Sequence, residues 1–302
     1  MVKKEKTDTF KGMKPDPIPQ YHFDYFPEPK ITRKSYIIPV NGMNVLLKSY
    51  PSSVQVSVQD QPDPAHVLHT FESLGFSHQT IFEHQQRFIP VGRIDSVPVF
   101  SCISDPEDFT EPFVPLRGLY MELKDSLFWF IGRGSQLARW HSWTRFCGSC
   151  GHPNELSQGE ISKKCPECGT QVYPRLSPAI IVAVTREHQG ERQVLLARHR
   201  GRGFFGLIAG FVEPGETVEQ AVAREVKEET NLEITDIQYI RSQPWPFPES
   251  LMLGFRAQVV PGELIIQESE LEEARWCASH SLPTLPSTIS LSRYLTELVL
   301  KP

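Results

Sequence analysis

No apolar run in this chain approaches the roughly 20 residues of a membrane-spanning helix, so no membrane partner is expected. The first residues, MVKKEKTDTFKGMKPDPIP, have no apolar core, which argues against a secretory signal, and their acids argue against a mitochondrial presequence. The C-terminal Leu-Lys-Pro is not a peroxisomal address of the Ser-Lys-Leu kind. A basic surplus is missing as well. The net charge of −5 argues against a general nucleic-acid binder, while leaving room for a local patch such as Arg198, His199, Arg200 and Arg202. Cysteine is scarce, six in 302 residues, and nothing indicates export, so a disulfide framework is not expected. These absences favour a cytoplasmic location.

What is present is the composition of a globular protein, 39% hydrophobic and 22% charged, in a length that suffices for two domains and a small module. Four of the cysteines, Cys147, Cys150, Cys165 and Cys168, form C-x2-C-x14-C-x2-C, each pair carrying a glycine nearby (CGSCG and CPECG). Two such knuckles can present four thiolates tetrahedrally to one Zn²⁺ per chain. Four thiolates leave no open coordination position, so this zinc is expected to fold its module and not to catalyse. Cys102 and Cys277 stand apart and read as small buried hydrophobes.

The segment 210–232, GFVEPGETVEQAVAREVKEETNL, is the most informative in the chain. Pro214-Gly215 signals a turn, and Thr217 with Gln220 three residues on forms a capping box that opens a helix. On that helix Val218, Ala221, Val222, Glu225, Glu228, Glu229 and Leu232 fall within an arc of about 120°. Three carboxylates therefore continue the face that is apolar one turn earlier, whereas a solvated helix puts its acids on the opposite side. Such acids raise one another's pKa unless something positive neutralises them. Hard oxygen ligands of this kind suit Mg²⁺ or Mn²⁺.

The spacing of these residues resembles the box of the Nudix hydrolases, G-x5-E-x7-R-E-U-x-E-E-x-G-U, where U is a bulky aliphatic residue. Gly210, Glu216, Arg224, Glu225, Val226, Glu228, Glu229 and Leu232 fill it, and Asn231 stands where the last glycine is expected. That position follows the helix end, where a left-handed residue is wanted and Asn is the usual second choice. The substitution predicts a small stability cost and intact chemistry.

Along the chain, residues 1–35 read as a flexible tail rich in Pro, Lys and Asp, and 36–142 as a small strand-rich α/β domain. The latter ends in one long helix over 116–143, or two broken near Gly132-Arg133-Gly134. The zinc ribbon follows at 143–172 and the last domain at 173–302. In that domain 179–185 and 193–198 form a hairpin pattern, and 204–212, 234–241, 252–260 and 263–267 read as further strands. A closing helix is expected over 290–300. A mixed sheet with a helix lodged between strands gives an α/β/α sandwich, which the Nudix resemblance also implies.

After the strand 234–241 comes SQPWPFPES. Three prolines in five residues are expected to keep this segment out of a ladder and to fix a loop that presents Trp245 and Phe247 for stacking on a planar base. SQPWPFPxS matches, letter for letter, the signature of the NADH pyrophosphatase (NAD-capped RNA hydrolase) subfamily. The resemblance extends over about 115–302, including RFCGSCG, YPRLSP and ESELEEARW. It implies hydrolysis of the pyrophosphate of NADH or NAD⁺ to AMP and nicotinamide mononucleotide, with removal of an NAD cap from RNA as a related activity. The basic cluster Arg198, His199, Arg200 and Arg202 could serve the RNA or equally the phosphates of free NADH. It further implies a homodimer whose site draws on both chains.

By the same resemblance, Glu225, Glu228 and Glu229 hold two or more divalent ions, with Glu229 the best choice for the base, and Glu270 is a further metal carboxylate. Glu216 and Arg224 brace the loop and helix. Tyr173, Phe211, Gln243, Trp245 and Ser292 lie around the nucleotide. Hydrolysis of other nucleoside diphosphate derivatives, and a non-catalytic nucleotide sensor, are the alternatives.

Overall fold

The structure, a computed structural model, describes residues 21–22, 30–48, 64–121, 123 and 125–301. The tail expected over 1–35 falls mostly outside the described residues. The chain divides into two compact units between residues 174 and 175.

In the first unit a mixed sheet is built on two hairpins, Tyr36–Asn41 with Asn44–Val45 and Ile89–Ile94 with Val97–Ile103. Tyr36–Asn41 and Val97–Ile103 run parallel at its centre, and Tyr21–His22 pairs on the outer side of Ile89–Ile94. The helix Asp125–Trp143 lies on this sheet. A Cβ at Gly134 would stand 2.9 Å from Ile38 Cδ1, so the glycine lets the helix backbone press on the strand. Within 116–143 the 3-10 turn Leu116–Met121 and the helix Asp125–Trp143 are separate elements, and the helix runs without interruption through the glycines expected to break it. The low helix propensity of glycine is outweighed at Gly134 by close packing.

Three short antiparallel strands, Glu155–Leu156, Lys163–Lys164 and Gln171–Val172, make the ribbon. Lys163, 2% exposed, donates its ammonium to the carbonyls of His141 (2.7 Å) and Thr144 (3.2 Å). A ribbon cation thus caps the C-terminal carbonyls of the preceding helix.

In the second unit the strand Ser177–His188 is the spine. One edge pairs in parallel with Ser250–Val260, and the other is shared by Ile208–Phe211 and Glu191–His199, both antiparallel. Glu233–Trp245 and Leu271–Cys277 are the outer strands. Ile180, Val182 and Val184 face the helix Val218–Thr230 through Ala221, Val222 and Val226. Ile181 and Ala183 face the helix Leu291–Leu300 through Leu291, Leu295 and Val299. A period of 2 with both faces covered is why this strand is apolar without interruption. Each fully buried aliphatic side chain contributes ~1.5–3 kcal/mol. The result is the expected α/β/α sandwich.

Three local expectations fail. Residues 242–245 do enter a ladder, Ser242 opposite Leu253 through Trp245 opposite Ser250. Glu233–Trp245 is an edge strand, where a proline whose missing N–H would face outward removes nothing from the ladder. Residues 263–267 form no strand; the amides of Ile265 and Gln267 instead donate to Thr230 O (3.1 Å) and Glu229 O (3.0 Å). They satisfy the end of the metal-candidate helix, whose last carbonyls have no partner within it. The strand Leu271–Cys277 was not foreseen, and 204–212 contracts to Ile208–Phe211.

Candidate active site

The helix Val218–Thr230 starts on the expected capping box, Thr217 Oγ1 accepting from Gln220 N (3.2 Å) and Gln220 Oε1 from Thr217 N (2.8 Å). It ends on Asn231 in the left-handed region (φ 57°). The strand Ile208–Phe211 sets Gly210 directly against it. A Cβ built on Gly210 would lie 1.9 Å from the Glu225 carboxylate, so the absence of a side chain there makes the space in which Glu225 sits.

Arg224 is the hub of the acids. Its guanidinium donates to both oxygens of Glu216 (2.6 and 3.0 Å), to Phe211 O (2.9 Å), and through one nitrogen to Glu225 and Glu228 (2.9 Å each). Glu216 is held below the usual carboxylate range, first by those hydrogen bonds from Arg224. The arginine's own pKa rises in return. This geometry fastens the 211–216 loop to the helix and is bidentate, the strong form of such a pair.

Glu229 is different. It is 1% exposed, and its Oε2 has no hydrogen-bond partner among the described residues. Burial, then the fields of Glu225 and Glu270, push its carboxyl up to about 8. Glu225 is also raised, chiefly by burial, with Glu228 and Glu270 adding to it. Glu270 lies in the exposed turn at residues 268–270, not on a helix, and that turn is stitched to the box helix by Gln267 N donating to Glu229 O. A buried carboxylate oxygen without a donor, among acids that raise one another, fits a hard divalent cation, which would supply the missing charge.

The remaining candidates separate by what their polar atoms already do. Gln243 spends its side-chain amide on Ile289 O (2.8 Å) and Leu291 N (3.0 Å), tying the edge strand to the start of the closing helix. Ser292 is buried; its Oγ accepts from Leu207 N (3.1 Å), its amide donates to Ser290 Oγ (3.2 Å) and its carbonyl accepts from Thr296 Oγ1 (2.8 Å). Both hold the fold in place. Trp245 is half-buried at the end of its strand, with Phe247 edge-on at 5.1 Å between centroids. Phe211 is exposed one residue from Gly210. Tyr173, also exposed, belongs to the first unit, where its hydroxyl lies 3.4 Å from a Glu160 oxygen.

Reasoning from the sequence did not connect His199 and Arg202 with the acids. Burial depresses the His199 pKa, and Arg202 adds to that while Glu270 opposes it. Arg202 is also the positive group that offsets the rise at Glu229. The basic run RHRGR was the available signal.

The cysteine site contrasts in every respect. The Sγ atoms of Cys147, Cys150, Cys165 and Cys168 all lie within 4.8 Å of one another, the only such donor group found among the described residues. Separations of 3.6 Å (Cys147 to Cys168), 3.4 Å (Cys150 to Cys165) and 3.5 Å (Cys150 to Cys168) approach the edge of about 3.8 Å of a tetrahedron with Zn–S bonds of about 2.3 Å. The backbone amides of Ser149 and Cys150 lower the Cys147 pKa, whereas the neighbouring thiols raise that of Cys150, the mutual repulsion that a bound cation would relieve. Each knuckle repeats one pattern, with Gly151 and Gly169 donating to Cys147 O and Cys165 O in left-handed backbone. The set fits structural zinc.

Two family models match the chain: the NUDIX domain over residues 175–298 and the NADH pyrophosphatase zinc ribbon domain over residues 144–173. The chain is 47% identical over 214 residues to the NAD-capped RNA hydrolase NudC of Stutzerimonas stutzeri, covering 70% of this chain and 76% of that protein. It is 45% identical over 190 residues to NudC of Pseudomonas aeruginosa (62% and 67% covered). It is 41% identical over 215 residues to NudC of Deinococcus radiodurans (70% and 77% covered).

Proposed function

Because the chain belongs to the Nudix hydrolases that carry an NADH pyrophosphatase zinc ribbon, the group of the NAD-capped RNA hydrolases NudC, we propose that it hydrolyses the pyrophosphate of NADH or NAD⁺. The products are AMP and nicotinamide mononucleotide, and the same bond is cleaved when an NAD cap is removed from RNA. The observation that carries this reading is the buried Glu229 oxygen without a donor beside Glu225 and Glu270.

Glu225, Glu228, Glu229 and Glu270 would hold Mg²⁺ or Mn²⁺, which supplies neutralisation of phosphate charge and a more acidic water. Glu229 accepts the proton of the attacking water, whose oxygen bonds to one phosphorus while the bridging P–O bond breaks. Its enclosure keeps the carboxylate basic. Arg224 positions Glu225 and Glu228 without touching the reacting atoms. Phe211 and Trp245 supply aromatic faces for the nucleotide, and Gln243 ties the strand that carries Trp245 to the start of the closing helix, beside Ser292. The active unit is a homodimer in a reducing cytoplasm, where four thiolates keep their zinc. No helix among the described residues is long and apolar enough to cross a membrane.

A sensor without activity is disfavoured by a box that keeps every acid. The test is product analysis in Mg²⁺ with NADH, ADP-ribose, a diadenosine polyphosphate and NAD-capped RNA at equal concentrations. AMP with nicotinamide mononucleotide from NADH, and 5′-monophosphate RNA from the capped RNA, are expected. Turnover confined to ADP-ribose or the diadenosine compound would make it a different Nudix hydrolase.

A further inference from the structure

The basic run after the strand Glu191–His199 is unevenly committed. Arg198 pairs with Glu272 (3.5 Å) and Glu273 (3.4 Å), and Arg200 donates Nε to Glu268 O (2.5 Å). Arg202 is exposed, with its guanidinium 6.0 Å from the Phe204 ring centroid and no ion pair within 4.0 Å among the described residues.

Backbone bonds fix where this arginine stands. A bulge between Arg198 and His199 turns the chain off the ladder. Beyond it, Arg200 N donates to Glu270 O (2.9 Å), Gly201 N to the Glu272 carboxylate (3.2 Å) and Arg202 N to His199 O (3.1 Å). On its far side the 267–270 turn is bonded to the box helix, through Gln267 N to Glu229 O (3.0 Å). One continuous chain of backbone bonds thus joins Arg202 to the buried acid. The charge distribution agrees, since Arg202 acts on both Glu229 and His199.

A cluster of carboxylates repels a pyrophosphate, so a site for that group gains from a fixed cation at its rim. An uncommitted guanidinium is suited to the task, because its planar fork matches two phosphate oxygens. We propose that Arg202 is the substrate-phosphate ligand of this site, its guanidinium taking non-bridging oxygens of the pyrophosphate beside the Glu229 and Glu270 carboxylates. The proposal rests on the hydrolase reading above.

A second role for Arg202, as mere counter-charge to the acids, predicts the opposite sign. Removing a counter-charge leaves the cluster more negative, which tightens Mg²⁺ binding and leaves nucleotide binding alone. Removing a phosphate ligand weakens nucleotide binding.

The experiment uses the full chain with Arg202→Gln and Arg202→Lys. AMP and adenosine binding are measured by calorimetry without divalent ion, and KM and kcat for NADH in saturating Mg²⁺. Arg202→Gln is expected to weaken AMP binding and raise KM by about 10- to 100-fold, with adenosine binding unchanged and kcat within about threefold. Arg202→Lys should recover part of the AMP affinity. Unchanged AMP binding with a lower Mg²⁺ requirement would overturn the proposal in favour of counter-charge. Loss of adenosine and AMP binding together, or of melting temperature, would overturn it in favour of a structural role. If the parent binds AMP through Arg202 yet cleaves no pyrophosphate, the phosphate ligand stands and the hydrolase reading falls.

Discussion

The two metal-type sites of this molecule are built on opposite principles. The four cysteines are already gathered, their sulfurs within 4.8 Å and their knuckles fixed by repeated backbone bonds. The acids of the box helix are held differently: Glu225 and Glu228 share one nitrogen of Arg224, and Glu229 stays apart, buried and with one oxygen lacking a donor. A closed thiolate set spends its binding free energy on folding. An open carboxylate set keeps unsatisfied charge, which costs stability and is available to substrate and cation. On the proposed assignment the same element of chemistry, a cluster of metal ligands, would serve structure in one place and reaction in the other.

The comparison breaks first at Glu229. Glu229→Gln should lower kcat on NADH by about 10³-fold or more, since a cation ligand and a base are lost together. Zinc content should be unchanged by elemental analysis. The same variant tests the electrostatics. A carboxyl at about 8 in the fold, against 4.5 when unfolded, binds a proton that the unfolded chain lacks between those values. Stability of the protein free of divalent ion therefore falls as pH rises from about 4.5 to 8, and Glu229→Gln removes that slope. Thermal melts at pH 5 and 8.5 should show the variant more stable than the parent at the higher pH by ~2–4 kcal/mol; parallel melts would contradict the assignment.

Cys165→Ser strikes the other site. Loss of zinc should unfold the ribbon and release Lys163 from the carbonyls of His141 and Thr144, at a cost of several kcal/mol. Full zinc retention in that variant would end the four-thiolate assignment. Trp245→Ala should reduce use of NADH by about 10- to 100-fold, the worth of ~1–3 kcal/mol of stacking. A pyrophosphate without a stacked base should be hydrolysed nearly as well as before, and equal losses on both would make the tryptophan structural. The smallest effect belongs to Asn231→Gly, which should stabilise by ~0.5–1 kcal/mol in denaturant melts, because a left-handed residue is placed there without a Cβ penalty.

What the sequence discloses of these sites follows from how local their determinants are. The capping box, the left-handed Asn231 and the cysteine knuckles each depend on a few adjacent residues, and each has the conformation expected. The spine strand was legible as the apolar run 179–185, whereas the alternation of Ile180 to Val184 between two helices shows only in the fold. Leu271–Cys277 was not, because its Glu272 and Glu273 face Arg198 across an edge that only the tertiary fold creates. Residues 263–267 have a strand's composition, yet their amides serve the box helix. Gln243 and Trp245 sit in a ladder that three prolines argued against, since Pro244 is harmless at the sheet edge and Pro246 and Pro248 lie beyond the strand. Arg202 was legible only as a member of a basic cluster; its relation to Glu229, 27 residues away along the chain, was not.

The central claim is that catalysis and folding use separate metal sites, and one preparation can test it. The full chain is dialysed against a chelator of intermediate strength, then assayed for NADH cleavage and for zinc by elemental analysis, before and after Mg²⁺ is restored. The account predicts no cleavage after dialysis, one zinc per chain retained, and full recovery with Mg²⁺ alone. Activity that persists without Mg²⁺, or that returns only with zinc, would contradict it.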